Sequence, residues 1–429
     1  MSEYRGYTGK SLTILKESKI KVGDSVKIIE DLMYSGIVMP RYEHTDDEHI
    51  VLKLKSGYNI GIEIKKIKSI ELLPTEKIEQ KSSQKIKGDS KLPKVLLLST
   101  GGTIASKIDY RTGAVTPALS AEDLNSTVPE LSKIANIDAE VLFSEYSENL
   151  QPEHWKKIAE KLNSITKSDY KGIVIAHGTD TMQYSAAFLS FALSGYPIPI
   201  ALVGSQRSSD RPSSDAAQNL ISAFRFVVES NTRGVFVVMH HNEKDDLVVA
   251  HLGTRVRKNH TSKRSAFQTV GDDPAFLILE NKIVKNLKKE FFKQKEYESK
   301  INYDSRVALV KYHPGYDPKI LDYLIESGYK AIIFEGTGLG HVGKNMYESV
   351  KKANESGLFM GMTSQCIDGR VGMNVYESGR DLQELGIIPL SNLIPETALV
   401  KAMWALGNSK DISEMKKLMK NNIASEYSD

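Results

Sequence analysis

Cysteine is almost absent from this chain of 429 residues, since Cys366 is the only one. A single cysteine cannot form a disulfide within the chain, which is typical of proteins in a reducing compartment. No hydrophobic run approaches the roughly 20 residues that a membrane-spanning helix needs, and residues 1–16 lack the apolar centre of a signal peptide. We therefore expect a cytoplasmic protein that does not enter membranes.

A strong charge of one sign is also absent, because 57 basic and 54 acidic residues leave a net charge of only +3. This balance argues against a basic surface spread over the whole protein, although a local basic patch remains compatible with it. The length exceeds what one hydrophobic core usually holds. At roughly 100–200 residues per domain, it predicts two or three domains.

Alternating apolar and polar residues mark the first part of the chain. Four short runs share this pattern: Ser25–Ile28, Gly36–Met39, Ile50–Leu54 and Ile60–Ile64. Such runs, separated by turn residues, predict a small antiparallel β-barrel of the SH3-like kind in residues 1–74. Residues 75–92 are rich in lysine, glutamate, glutamine and serine, and we interpret them as a polar linker.

Continuous apolar runs replace the alternating ones after residue 92. Examples are Val95–Leu98, Ile173–Ala176, Ile200–Val203 and Val235–Met239, with helical patterns between them. Strands without alternation are buried on both faces, so this order predicts a doubly wound α/β domain over 93–300. Similar strand–helix units recur later in the chain and predict a smaller α/β domain over 301–429.

Glycine and a serine or threonine follow three of these predicted strands. The segments are Thr100–Thr103, His177–Asp180 and Gly204–Arg207. Ligands of open α/β sheets bind beyond the carboxyl ends of strands, where glycines let backbone N–H groups approach them. Thr103 and Thr179 would present hydroxyl groups there. Taken alone, the glycines could form a plain turn and Thr179 could cap a helix, and capping is compatible with a catalytic role.

Two other motifs have simpler interpretations. His177 has no second histidine or cysteine at metal-ligand spacing, so we expect a hydrogen-bonded histidine at a strand end and no metal site. Residues 336–340 read G-T-G-L-G, which lacks the spacing of a dinucleotide-binding loop and favours a close-packed turn.

Residues 92–429 resemble the asparaginase/glutaminase family. The resemblance rests on a TGGTI segment at Thr100–Ile104 and an HGTDT segment at His177–Thr181. It implies amide hydrolysis through a covalent ester, with Thr103 as the nucleophile. Thr179, Asp180 and a downstream lysine would form a second group, in which the lysine amine activates a hydroxyl.

The resemblance implies that this lysine is Lys258, because a short polar stretch and then Phe267 follow it. Lys263 lies close enough to be the alternative. Clustered cations lower a lysine pKa, which would help the amine act as a base. For Arg255 and the other cations of this stretch, a solvated loop is our expectation.

Five residues match substrate-binding positions of the family: Gly102, Tyr110, Ser147, Glu148 and Gly178. The family has a Ser-Gln pair ahead of a tryptophan, whereas this chain has Ser147-Glu148 ahead of Trp155. A glutamate would attract the α-ammonium of an amino acid more strongly, so the choice between glutamine and asparagine stays open. Tyr110 matches the region of a mobile catalytic tyrosine.

The predicted barrel ahead of the asparaginase-like part is similar to one branch of the family, the asparaginase-like subunits of archaeal-type glutamyl-tRNA(Gln) amidotransferases. This likeness implies a glutaminase that passes ammonia to a partner, the E subunit of the amidotransferase, which uses ATP and Mg²⁺ to amidate Glu-tRNA(Gln). The chain has no GxxxxGK[ST] motif, and no cofactor is expected in it.

The same likeness implies a homodimer within a heterotetramer. Mixed lysines and glutamates favour docking of the barrel to a neighbour over tRNA binding. Two alternatives remain open at this stage: a free-standing cytoplasmic L-asparaginase or glutaminase, and a non-catalytic scaffold with the same fold.

Overall fold

The structure of the protein is a computed structural model. It describes residues 3–4, 6–41, 46–54, 59–74, 91–102, 104, 106–109, 114–117, 124, 128–207, 213–286 and 296–428. Within these ranges, no helix combines the length and the apolar character needed to cross a bilayer.

Five antiparallel strands and one helix form the N-terminal part. They are α1 (Gly9–Glu17), β1 (Ser25–Ile29), β2 (Met33–Val38), β3 (His49–Leu54), β4 (Asn59–Glu63) and β5 (Ser69–Leu72). The sheet order is β4-β3-β2-β1-β5. Alternate residues such as Val26 and Ile28 are fully buried, as expected for a sheet with one apolar face. The predicted richness in strands is therefore confirmed, while closure into an SH3-like barrel stays a prediction.

An eight-stranded sheet dominates the asparaginase-like part. Its strands are β6 (Lys94–Ser99), β9 (Asn136–Val141), β10 (Gly172–Ala176), β11 (Pro199–Val203), β12 (Gly234–His240), β13 (Val248–Leu252), β16 (Phe276–Leu279) and β17 (Lys282–Lys285). Two hairpins lie beside it: β7 (Ser106–Asp109) with β8 (Ala114–Pro117), and β14 (Val256–Lys258) with β15 (Phe267–Thr269).

The five parallel strands of this sheet run in the order β9-β6-β10-β11-β12, and the last three strands of the sheet are antiparallel. The order reverses between β6 and β10. In doubly wound sheets, this point of reversal is where the connections diverge to opposite faces and leave a crevice for a ligand. The segments after β6 and β10 are two of the three strand-end segments named above, Thr100–Thr103 and His177–Asp180.

Helices cover both faces of the main sheet. They are α2 (Pro152–Ser164), α3 (Met182–Ala192) and α4 (Ala216–Glu229). Alternate residues of β10 divide between two cores, since Val174 packs on the side of α4 whereas Ile173 packs on the side of α3. The predicted doubly wound α/β architecture is confirmed here.

A four-stranded parallel sheet follows, in the sequential order β18 (Val307–Lys311), β19 (Ala331–Gly336), β20 (Phe359–Ser364) and β21 (Ile388–Pro389). Its helices are α5 (Lys319–Glu326), α6 (Tyr347–Glu355), α7 (Glu377–Glu384), α8 (Pro395–Asn408) and α9 (Ile412–Lys420). Helix α8 packs against α3, with Phe191 stacked on Trp404 at 5.6 Å between ring centroids. One apolar core thus joins the two sheets.

Candidate active site

Adjacent strand ends bring the two signature segments together. Strands β6 and β10 are parallel and hydrogen-bonded neighbours, with Ser99 opposite Ala176. Immediately after them, both the backbone N–H and the hydroxyl of Thr100 donate to the Ala176 carbonyl, at 3.0 and 2.9 Å. Thr100 is almost completely buried. It therefore ties the two strand ends together, a role that the sequence analysis did not assign to it.

Two glycines allow the loops after these strands to touch. Gly102 has φ of +82°, and a Cβ atom there would lie 2.8 Å from the backbone nitrogen of Gly178. A Cβ on Gly178 would in turn lie 2.8 Å from the Cβ of Ser147. No larger residue fits either position without displacing its neighbours. The close contact between the loops after β6 and β10 therefore requires glycine at both positions.

Lys258 makes hydrogen bonds with two side chains of the HGTDT segment, those of Thr179 and Asp180. Its Nζ lies 2.9 Å from Thr179 Oγ1 and 2.7 Å from Asp180 Oδ1. The Lys258 side chain is 9% exposed, whereas that of Asp180 is 66% exposed. The lysine amine is thus enclosed and oriented by a hydroxyl and a carboxylate, the arrangement needed to move a proton at Thr179.

Ser147 makes two hydrogen bonds to the loop that contains Thr179 and Asp180. Its Oγ accepts a hydrogen bond from the Asp180 N–H at 3.2 Å, and its carbonyl accepts one from the Thr181 hydroxyl at 2.7 Å. Ser147 is 4% exposed. The neighbouring Glu148 lies in the same short 3-10 turn and is exposed. The predicted substrate-binding pair therefore adjoins the site, with Ser147 also acting as a structural support.

His177 is held by hydrogen bonds on both sides of its ring. Nδ1 lies 2.6 Å from the Gly178 carbonyl and Nε2 lies 2.8 Å from Ser185 Oγ. Because a carbonyl can only accept, Nδ1 carries the proton and Nε2 accepts from the serine. Burial lowers the pKa of His177 to about 4. The hydrogen-bonded histidine predicted at this strand end is confirmed.

The third strand end packs directly against Thr179. A Cβ on Gly204, just after β11, would lie 2.7 Å from Thr179 Cγ2. The following loop is held by Asp215, whose carboxylate accepts the N–H groups of Gln206 and Arg207 at distances of 3.0 to 3.1 Å. Asp215 is completely buried. The sequence analysis missed this support, although an aspartate just before a helix is a capping signal that could have drawn attention to it.

The cationic stretch around Lys258 is not the solvated cluster that we expected. Arg255 is 1% exposed and donates to three backbone carbonyls. Arg257 pairs with Glu396 at 3.0 Å, and Arg264 pairs with Asp245 at 2.6 Å. These cations have their own partners, so the expectation of a solvated loop was wrong for Arg255. The alternative base, Lys263, is exposed.

Two predicted residues, Thr103 and Tyr110, lie outside the described residues. The glycine-rich stretch after β19 forms the turn that we predicted, with Gly338 and Gly340 at φ of +49° and +101° and a bridge between Thr337 and His341.

Comparison with known sequence families covers most of the chain. The family described as "Asparaginase, N-terminal" matches residues 94–290, and "Glutaminase/Asparaginase C-terminal domain" matches residues 306–419. Residues 20–73 match "GatD N-terminal domain".

Solved structures include two similar asparaginases. The thermostable L-asparaginase of Thermococcus kodakarensis has 33% identity and a TM-score of 0.71, covering 78% of this chain and 99% of that one. L-asparaginase I of Vibrio cholerae has 23% identity and a TM-score of 0.69, covering 79% of this chain and 99% of that one, and supports the fold alone.

Longer similarities are with proteins named as the D subunit of glutamyl-tRNA(Gln) amidotransferase. That of Pyrococcus abyssi is 47% identical in an alignment of 421 positions that covers 96% of each chain. That of Methanopyrus kandleri is 45% identical in an alignment of 439 positions that covers 99% of this chain and 95% of the relative. The asparaginase-type body, its N-terminal addition and these near-full-length similarities agree: the chain belongs to the family of glutamyl-tRNA(Gln) amidotransferase D subunits.

Proposed function

We propose that this chain is the glutaminase of a tRNA-dependent amidotransferase, which releases ammonia from glutamine for the conversion of Glu-tRNA(Gln) to Gln-tRNA(Gln). One observation carries the catalytic part of the proposal: Lys258 meets Thr179 and Asp180 at the reversal point of the main sheet. The near-full-length similarity to amidotransferase D subunits supports the destination of the ammonia.

The proposed chemistry has two halves. The Thr103 hydroxyl attacks the side-chain amide carbon of glutamine, its proton goes to the departing nitrogen, and ammonia leaves behind an ester on Thr103. Water then attacks the same carbon, the ester bond breaks, and glutamate is released with the threonine hydroxyl restored. This route needs no metal ion or organic cofactor in the chain, because both steps transfer only protons and an acyl group.

In this scheme, proton transfer is carried out by Thr179, Asp180 and Lys258. A neutral Lys258 amine takes a proton from Thr179 across 2.9 Å while Thr179 takes one from the attacking hydroxyl or water. Asp180 orients the resulting ammonium, which then returns the proton to the departing nitrogen or to the Thr103 oxygen. The pocket is shaped by Gly102, Gly178 and Ser147, while Glu148 and Tyr110 are proposed to contact the substrate. Backbone N–H groups at the glycine turns would stabilise the oxyanion, an effect of about 3 kcal/mol per donor in well-studied hydrolases.

The E subunit of the amidotransferase is the proposed partner, because the ammonia must be consumed by a reaction that activates the glutamate on tRNA. We place ATP and Mg²⁺ on that partner. Two copies of this chain would form the core of a heterotetramer, and the N-terminal part would dock to a neighbouring domain. A role in translation agrees with the expected cytoplasmic location.

The test is a reconstitution with purified components. The chain is assayed alone and with the E subunit for glutamine-dependent and ATP-dependent amidation of Glu-tRNA(Gln). We expect amidation only from the pair, and loss of that activity in Thr103→Ala. No amidation by the pair would overturn the amidotransferase assignment, and full asparagine turnover by the lone chain would favour a free-standing asparaginase.

A matched pair of lysine variants tests the base. Lys258→Met should abolish glutamine hydrolysis. Lys263→Met should retain it, because Lys263 is exposed and lies in the connection between β14 and β15. Equal loss in both variants would contradict the assignment of Lys258. Unchanged activity in Thr103→Ala and Lys258→Met together would favour a scaffold that only shares the fold.

A further inference from the structure

An almost completely buried arginine lies three residues before Lys258. The Arg255 guanidinium donates to the carbonyls of Val270, Asn392 and Glu426, at 2.6, 2.8 and 3.0 Å. Val270 directly follows β15, the second strand of the hairpin that carries Lys258. Its N–H donates to the Arg255 carbonyl at 2.9 Å. Arg255 therefore connects the base of that hairpin to two distant stretches of chain.

One of those stretches, residues 421–428, is built around a buried ion pair. Lys401 of helix α8 and Glu426 lie 2.5 Å apart, and both side chains are inaccessible to solvent. The Glu426 carboxylate also accepts the N–H groups of Ile423 and Ala424. Within this turn Ser425 has φ of +59°, a conformation that a serine adopts only when its surroundings impose it.

Two backbone carbonyls of this turn, those of Ala424 and Glu426, accept hydrogen bonds from residues just before β14. Thr254 donates to the Ala424 carbonyl at 3.0 Å, next to the bond from Arg255 to the Glu426 carbonyl. The Thr254 carbonyl in turn accepts from Thr397 of α8 at 2.9 Å. A continuous series of hydrogen bonds thus runs from the Lys401–Glu426 pair to the residue before β14.

The hairpin needs such support because it is short. Strand β14 has three residues, Val256–Lys258, and among the strands that the structure describes it pairs only with β15. Val256 and Phe267 pack into the core that joins the two sheets, and a two-stranded hairpin depends on such outside contacts because it is only marginally stable by itself. Yet Lys258 Nζ must stay within hydrogen-bond distance of two groups at once, and displacements of about 1 Å in active sites can lower rates about a hundredfold.

We propose that Arg255 is a positioning residue for Lys258, which acts by clamping the β14–β15 hairpin to the turn at residues 423–426. The proposal rests on the proposed function for its catalytic consequence, but the clamp itself is a property of the fold. The buried Lys401–Glu426 pair belongs to the same device, because it sets the turn whose carbonyls Arg255 and Thr254 bind.

Arg255→Lys is the direct test, since lysine keeps the charge but cannot reach three carbonyls with a planar fork of donors. We expect kcat for glutamine hydrolysis to fall about tenfold or more while KM changes by less than about twofold. Thr254→Val, which removes a single hydroxyl, is the milder variant and should shift kcat in the same direction. It keeps the test decisive where Arg255→Lys fails to fold.

Asp411→Ala is the matched control. Asp411 caps helix α9, which packs on α8 beside the turn, and its carboxylate accepts the Glu414 N–H at 2.9 Å without touching the hairpin. This variant should lower the unfolding midpoint and leave kcat unchanged. If Arg255→Lys lowers the unfolding midpoint in the same way but keeps the parent kcat and pH profile, Arg255 has only a structural role and the proposal is wrong.

A second readout does not depend on activity. Acylation of Lys258 by acetic anhydride, followed by peptide mass spectrometry, reports how tightly its amine is held. We expect slow acylation in the parent and in Asp411→Ala, and at least about threefold faster acylation in Arg255→Lys, because local opening of the hairpin exposes the amine. Equal acylation rates in parent and variant would overturn the clamp, even if the parent chain proved to have no glutaminase activity.

Discussion

Thr179 and Lys258 meet at 2.9 Å although 79 residues of sequence separate them. Thr179 follows a central strand of the main sheet, whereas Lys258 ends the first strand of the β14–β15 hairpin, which lies beside that sheet. The contact therefore depends on the main sheet on one side and on the hairpin on the other, and the hairpin is held by the core packing of Val256 and by the contacts of Arg255.

Asp180→Asn should separate orientation from charge. The amide keeps the shape of the carboxylate but no longer offers Lys258 a negative partner, so proton transfer at Thr179 loses its oriented ammonium. We expect kcat for glutamine to fall by about a hundredfold to ten-thousandfold, with little change in KM. Steady-state kinetics with circular dichroism as a folding check will test this. A kcat within about twofold of the parent would remove Asp180 from the mechanism.

Gly178→Ala should damage both folding and activity, because its Cβ would lie 2.8 Å from the Cβ of the buried Ser147. Overpacking of this kind costs about 1–3 kcal/mol. Gly372→Ala is the control, since its nearest neighbours are side-chain atoms at 3.6 Å or more. Urea unfolding of the two variants should show the loss for Gly178→Ala alone, and equal midpoints would contradict the close approach of these loops.

Sequence patterns predicted the residues at the strand ends correctly, but they did not predict the buried position of Arg255. Thr179 and Asp180 could be placed because an apolar run and a glycine turn mark the carboxyl end of a parallel strand locally. Lys258 came only through a family resemblance, since nothing in the local pattern separates it from Lys263. Arg255 was wrongly predicted to be solvated, because two of its hydrogen-bond acceptors are carbonyls 137 and 171 residues further along the chain. Every residue has a backbone carbonyl, so the sequence does not show which of them will accept a hydrogen bond from an arginine.

His177 should make the protein acid-sensitive. Burial lowers its pKa from 6.5 to about 4, so the fold favours the neutral ring. Its contribution to stability is complete above pH 6.5 and is lost as the pH falls towards 4, by up to about 1.4 kcal/mol per pH unit and about 3 kcal/mol in total. Urea unfolding between about pH 7 and pH 4.5 should show a shallower dependence for His177→Asn than for the parent.

Exposed His313 supplies the comparison for that experiment. His313→Asn should follow the parent curve, because substitution of an exposed side chain usually changes stability little. If His177→Asn and the parent lose stability equally over the same range of pH, then His177 is not held neutral by burial, and the acid sensitivity must come from the carboxylates.

Substituting Glu426 alone should lower the free energy of unfolding much more than substituting Lys401 and Glu426 together. Glu426→Gln leaves a buried ammonium without its counter-charge, which typically costs about 3–5 kcal/mol. The double variant Lys401→Met with Glu426→Gln removes that charge, and a glutamine oxygen at the Oε2 position can still accept the Ile423 and Ala424 N–H groups. We therefore expect the double variant to be clearly more stable than Glu426→Gln in thermal unfolding. A double variant less stable than either single variant would mean that the ion pair itself, rather than the avoidance of an isolated charge, holds the turn in place.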